Sequence, residues 1–124
     1  MKQLLWIAMG GAAGAMARYG VSGWVYNVMG RHFPWGTLTV NVLGSFLMGF
    51  LFDLLTERWM VPPHIRSALL VGGLGAFTTF STFSLETLNL VDRGEPLLAL
   101  GNAMLSVVAC VAAVWLGVWL ARWV

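Results

Sequence analysis

Charge is what this sequence has least of. Only 10% of its 124 residues are Asp, Glu, Lys or Arg, against about 25% in a soluble globular chain. That excludes a solvated surface of ordinary extent. With 59% hydrophobic residues and a mean hydropathy of +0.80, it identifies an integral membrane protein. The net charge of +2 comes without any basic run, which excludes a nucleic-acid partner. Cysteine is nearly absent. Cys110 stands alone in SVVACVAAV, so no disulfide forms within one chain, and it reads as a small buried residue. Catalytic groupings are missing too. His32 and His64 fall in separate loops, and no Ser/His/Asp or metal-ligand spacing occurs, so the chain is not read as an enzyme. There is no room for a soluble domain either. At about 20 residues per membrane span, the length holds about four helices with short loops, a single transmembrane domain over residues 1–124.

What is present divides into four apolar segments, running from about Leu4 to Met29, Gly36 to Leu55, Ile65 to Val91 and Leu97 to Ala121. The stretches Arg31-His32-Phe33-Pro34, Val61-Pro62-Pro63-His64 and Asp92-Arg93-Gly94-Glu95-Pro96 turn the chain between them, because proline disfavours helix at the residue before it. Trp6, Trp24, Trp35, Trp59, Trp119 and Trp123 fall near segment ends, where an aromatic belt at the lipid–water boundary belongs. The opening, Met1-Lys2 followed by LLWIAMGGAAGAMA, has the outline of a signal peptide with a small-residue site at Ala15-Met16-Ala17. The apolar pattern runs on to Met29, however, which favours a retained first transmembrane helix.

The positive-inside rule decides little. Lys2, Arg58, Arg66 and Arg122 fall on one side of the membrane; Arg31 and Arg93 fall on the other, with Arg18 nearer to them. So weak a bias lets a chain insert both ways. One bundle of four helices also has little interior in which to enclose a path. An antiparallel homodimer of oppositely inserted chains reconciles both facts. Small residues suit close helix contact: Gly10 and Gly14 form a GxxxG pair, and Gly101, Ala109, Ala112, Ala113 and Gly117 thin the last segment. Packing within one chain explains each of them equally well.

Polar residues within apolar segments are costly and mark functional positions. Thr37, Asn41 and Ser45 recur at helical spacing, hence on one face, and Gly49 continues it. Asn102, Ser106 and Cys110 repeat the pattern in the last segment. An asparagine amide brings two N–H donors and one acceptor, which serve either a helix-bridging bond or a polar pathway. Arg18 lies about 18 Å before the Gly30 turn at 1.5 Å per residue. It reads as a structural ion pair, a headgroup contact or a vestibule charge that concentrates anions. No acid lies centrally in any segment; Asp53, Glu57 and Glu86 come late in theirs. The deepest charge is therefore cationic, which favours an anionic substrate.

The third segment carries GGLGAFTTFSTFSLE (Gly72–Glu86). Gly72, Gly73 and Gly75 weaken a helix by up to about 1 kcal/mol each relative to Ala, and Thr78 and Thr79 can cap a restarted one. The expectation is a helix broken near residues 75–79 at mid-membrane, with backbone groups tolerated only against protein or a water-filled cavity. Carbonyls ending the first half-helix suit a small cation, above all where two breaks meet at a dimer axis. Beyond the break, Phe80 and Phe83 share a face with Ser84 beside them and Thr79 and Thr82 on the flank. Phenylalanine is ordinarily lipid-facing filler, but its ring edge is positive and can accompany a small anion in a narrow path.

Three stretches, GGAAGAMARY (Gly10–Tyr19), GTLTVNVLGSFLMG (Gly36–Gly49) and GGLGAFTTFSTFSLE, make the chain resemble the small fluoride channels of the Fluc/CrcB family along essentially its whole length. The resemblance implies a dual-topology homodimer with two fluoride pores, embedded in the lipid of a bacterial-type plasma (inner) membrane. Fluoride would enter the cell as its neutral weak acid, dissociate inside, and leave passively down the membrane potential. Asn41 would donate to fluoride, and Phe80 and Phe83, from different subunits, would present ring edges. Thr37, Ser81, Thr82, Ser84 and Ser106 would form the polar track. Arg18 would sit at the vestibule and Glu86 near the end of the pore, an odd place for an acid on an anion path. Backbone carbonyls of Gly75 and Thr78 from both subunits would hold a structural Na⁺. Asn102 departs from the family pattern, since many relatives are expected to carry a tyrosine nearby.

Two rival classes share features with this sequence. A small multidrug-type, proton-coupled cation exporter also has four helices, but it needs an acid within its first helix, where this chain has Arg18. A membrane anchor that only organises partner proteins would not need the polar stripes.

Overall fold

The computed structural model describes residues 1–124 and is all-helical. Helix α1 spans Lys2–Met29. It stops at Gly30, whose φ of 85° is open to glycine but costly for residues with a side chain. Helix α2 covers Trp35–Asp53 and continues into a wider π turn over Leu54–Arg58. Helix α3 occupies 63–77: an α turn at Pro63–Ser67, a π stretch at Ala68–Leu74 and a final turn at Gly75–Phe77. Helix α4 is Phe80–Asp92 and α5 is Pro96–Ala121. Pro63 and Pro96 each stand in the first turn of their helices, where a missing N–H costs nothing. The third and fourth segments accordingly begin slightly earlier than their apolar runs suggest. Three helical stretches are long and apolar enough to cross a membrane: Trp35–Arg58, Pro63–Asp92 and Pro96–Ala121.

Glycine sets how closely the helices approach. A Cβ at Gly10 would stand 2.0 Å from the Ala68 carbonyl oxygen, and one at Gly14 would stand 2.0 Å from that of Gly73. The GxxxG pair of α1 is therefore spent within the chain, backbone to backbone against α3. Between α2 and α5 the same device recurs. A Cβ at Gly49 would meet the Val114 carbonyl oxygen at 2.2 Å, and one at Gly117 would meet that of Phe46 at 2.2 Å. At Gly101, by contrast, nothing lies within 4 Å. Arg58 donates to the Arg122 carbonyl and ties the end of α2 to the end of α5.

Only 23 of 124 residues are buried, so most of the apolar surface faces outward. A chain of this size in water buries well over half of the surface its unfolded form exposes. The apolar exterior here is matched to lipid or to another chain.

Candidate functional site

Thr78 and Thr79 are the residues around which the site is built. They are extended, with φ/ψ of −88°/159° and −152°/120°, and they separate α3 from α4. The Thr79 hydroxyl accepts from the Thr82 N–H at 3.2 Å and so caps α4. Asn41, on α2, closes a reciprocal pair with the same residue: the Thr79 N–H donates to Asn41 Oδ1 at 2.8 Å, and Asn41 Nδ2 donates to the Thr79 carbonyl at 3.0 Å. One amide hydrogen of Asn41 stays uncommitted. Room for the extended residues comes from Gly44, where a Cβ would stand 2.3 Å from Thr78 Cγ2.

Two carbonyls lose their helical donors in consequence. In an α-helix the N–H of residue i+4 serves the carbonyl of residue i. Here the Thr79 N–H goes to Asn41 instead of Gly75, and the Thr82 N–H goes to the Thr79 hydroxyl instead of Thr78. The Gly75 and Thr78 carbonyls accept no hydrogen bond, and Gly75 is exposed.

A cavity of about 370 Å³ lies beside this junction. Asn41 and Ser45 line it from α2, Ser106 and Cys110 from α5, Phe80 and Phe83 from α4, together with Thr78 and Thr79. Two members of each polar stripe thus share one space, while Thr37 and Asn102 stand outside it. The Phe80 and Phe83 rings are 5.4 Å apart at 50°. Phe80 is 77% exposed, so a single chain leaves this side of the cavity open.

A second cleft, about 330 Å³, holds Arg18, Ser22, Thr37, Val40, Thr79 and Thr82. Thr79 lines both spaces. Thr37, only 4% exposed, also lines the second. Its hydroxyl donates to Glu86 Oε1 at 2.6 Å, and the Tyr26 phenol donates to Glu86 Oε2 at 2.7 Å. Tyr26 and Glu86 in turn line a third cleft of about 470 Å³ with Arg31, Asn89, Asp92 and Arg93. The first two clefts thus share Thr79 in their walls, and the hydrogen bonds of Glu86 link the walls of the second and third.

Of the other residues expected at the site, Ser81 and Ser84 are exposed and line none of these three spaces. The Ser84 hydroxyl is spent on the Phe80 carbonyl at 2.9 Å, and Ser81 Oγ lies 3.4 Å from Thr79 Oγ1. Gly75 opens on a separate, mainly apolar space that Thr56 and Arg66 also line. Asn102 is 1% exposed and bridges two helices. It donates to Thr87 Oγ1 at 2.9 Å and accepts from Ser106 Oγ at 3.4 Å, while Thr87 donates to the Phe83 carbonyl at 2.7 Å. Tyr26 and Thr87 were not anticipated. No local pattern marks them, because Tyr26 lies 60 residues from Glu86 and Thr87 lies 15 from Asn102.

The family model described as "CrcB-like protein, Camphor Resistance (CrcB)" matches residues 5–118. Curated relatives named "Fluoride-specific ion channel FluC" match over nearly the whole chain. That of Magnetococcus marinus is 60% identical over 120 residues, covering 97% of this chain and 98% of its own. That of Citrifermentans bemidjiense is 47% identical over 122 residues, covering 98% of each. That of Methylococcus capsulatus is 59% identical over 116 residues, 94% of this chain but 51% of its own length.

Proposed function

The chain belongs to the CrcB-like family, and from that membership we propose that it is a fluoride-selective ion channel, which lets cytoplasmic fluoride leave passively and so relieves fluoride toxicity. The observation that carries the reading is the 60% identity, across 97% of this chain and 98% of the relative, to a protein named for that activity. It is a multi-pass membrane protein, in our reading of the plasma (inner) membrane, and it does no covalent chemistry. A proton-coupled multidrug exporter is not favoured, since α1 carries Arg18 and no acid.

In this reading fluoride meets the uncommitted Asn41 amide hydrogen and the ring edges of Phe80 and Phe83. Ring edges and amides replace only part of an ion's hydration, which suits conduction rather than storage. Ser106 and Thr82 extend the polar track, Arg18 concentrates anions in its cleft, and Glu86 stands at the end of the route. Ser81 and Ser84 belong to the track only if a second chain closes over them. Four transmembrane helices per chain, the third broken at Thr78–Thr79, pair with an antiparallel, oppositely inserted copy to give a dual-topology homodimer with two pores. The openness of the Phe80 side of the cavity supports this, because a partner must supply the missing wall. The freed Gly75 and Thr78 carbonyls fit a hard cation such as Na⁺, which takes neutral oxygens. Two chains would offer four of them at the dimer axis, where the ion would neutralise their dipoles and hold the subunits together.

The test is efflux from liposomes containing only this protein and loaded with fluoride and chloride. Fluoride should leave selectively while chloride stays. Absence of fluoride release would falsify the reading.

A further inference from the structure

Between the Arg18 cleft and the third cleft, called the outer cleft from here because the Arg31 and Arg93 turns line it, stands a wall of three side chains from three helices. Thr37 of α2 faces the Arg18 cleft, and Tyr26 of α1 and Glu86 of α4 face the outer one. Both oxygens of the Glu86 carboxylate are held, one by the Thr37 hydroxyl at 2.6 Å and one by the Tyr26 phenol at 2.7 Å. The Tyr26 oxygen also accepts from the Thr37 backbone N–H at 3.4 Å. Each hydroxyl has a single proton. With both given to Glu86, the 3.2 Å approach of Tyr26 Oη to Thr37 Oγ1 is a contact and not a further bond.

The ring of Tyr26 is held as firmly as its hydroxyl. The Arg31 guanidinium lies over one face, 4.9 Å from the centroid. Gly36 lies against its edge, where a Cβ would come 2.5 Å from Tyr26 Cε2. A side chain at position 36 would collide with this ring and with the Ser22 carbonyl. The remaining charges around the carboxylate are Arg31 from the α1–α2 turn, and Asp92 and Arg93 from the end of its own helix, with Asn89 beside them.

We propose that Tyr26 is a positioning residue for conduction: its phenol pins the Glu86 carboxylate against the α1–α2 side of the wall and keeps that negative charge off the anion's route. The proposal rests on the fluoride-channel reading above. It also resolves the oddity of an acid on an anion path. A carboxylate with both oxygens occupied by charge-assisted hydrogen bonds has its charge partly satisfied and its rotamer fixed. Released on one side, the same carboxylate can swing into the cleft that Thr37 lines. There it repels an approaching anion with an energy several times thermal energy, even in a medium of intermediate dielectric. Tyr26 never needs to touch fluoride; it acts through Glu86.

A double-mutant cycle in the liposome assay tests this. Y26F keeps the ring, its contact with Arg31 and its seat on Gly36, and removes only the hydroxyl. Its fluoride flux should fall about tenfold, the size of one lost hydrogen bond to a charged group. E86Q takes away the charge that Tyr26 restrains. Y26F/E86Q should therefore differ from E86Q by less than about twofold. Unchanged or increased flux in Y26F overturns the proposal. So does a tenfold loss that persists in the E86Q background, since that is a packing role which ignores the charge. Size-exclusion elution of each variant separates a lost channel from a lost fold, and a misfolded Y26F that E86Q does not rescue also counts against the proposal. The wild-type arm keeps the two readings apart. Selective wild-type efflux with an indifferent Y26F overturns this inference alone, whereas a silent wild type overturns both.

Discussion

Asn41 combines a structural bond with a place on the cavity wall. Its carbonyl and one amide hydrogen satisfy the extended Thr79 backbone, and its second amide hydrogen is left for the cavity. Phe80 and Phe83 line the same cavity, their rings tilted at 50° to each other. If the ring edges carry part of the fluoride's hydration, Phe80→Ile or Phe83→Ile should cut fluoride flux by about tenfold, equivalent to about 1.4 kcal/mol, with unchanged size-exclusion elution. Isoleucine keeps the apolar volume and lacks the positive edge. Flux equal to wild type in both variants would reduce the rings to packing. The helical spacing of Asn41 with Ser45, and of Ser106 with Cys110, was legible because residues four apart share a face whatever the tertiary fold. That Asn41 bonds Thr79, and Asn102 bonds Thr87, was not legible, since hydrogen bonds over such separations have no period to read.

At the scale of elements, glycine contacts hold the helices in register. Gly117 on α5 and Gly49 on α2 each press on a carbonyl of the other helix, and a backbone carbonyl cannot rotate away as a flexible side chain can. Gly117→Ala should therefore destabilise the protein by about 1–3 kcal/mol through overpacking. Gly101→Ala on the same helix meets nothing within 4 Å and should be neutral or stabilising by up to about 1 kcal/mol. Thermal unfolding in one detergent compares the two, and equal losses would contradict the assignment. Composition marked both glycines as thinning the last segment but could not tell them apart. The difference lies in which face α2 covers. The π turns at Leu54–Arg58 and Ala68–Leu74 were likewise unforeseen, because a bond spanning one extra residue leaves no pattern in the side chains.

At the scale of the whole molecule, one chain is an incomplete enclosure. Its apolar residues face outward on helices such as α5, where Leu97 and Trp115 are exposed, and the cavity beside Phe80 is open. If four helices cross the membrane, the bias of Lys and Arg between its two sides is weak and gives insertion little direction. A C-terminal tag on the protein in cells should therefore react with impermeant reagents from both faces of the membrane in comparable amounts. Labelling from a single face would end the dual-topology reading and leave the second wall of the cavity without a source.

The sequence by itself determined that the chain lives in lipid, that it is helical, which residues share a face, and which family it resembles. Hydropathy and helical periodicity are local properties, and they survive any arrangement of the helices. The tertiary structure alone decided what those faces meet. It turned the Thr79 N–H toward Asn41, freed the Gly75 and Thr78 carbonyls, and brought the Tyr26 phenol and the Thr37 hydroxyl onto the two oxygens of Glu86. Each of these depends on helices distant in sequence meeting at a fixed depth. That depth is set where glycines on one helix admit the backbone of another.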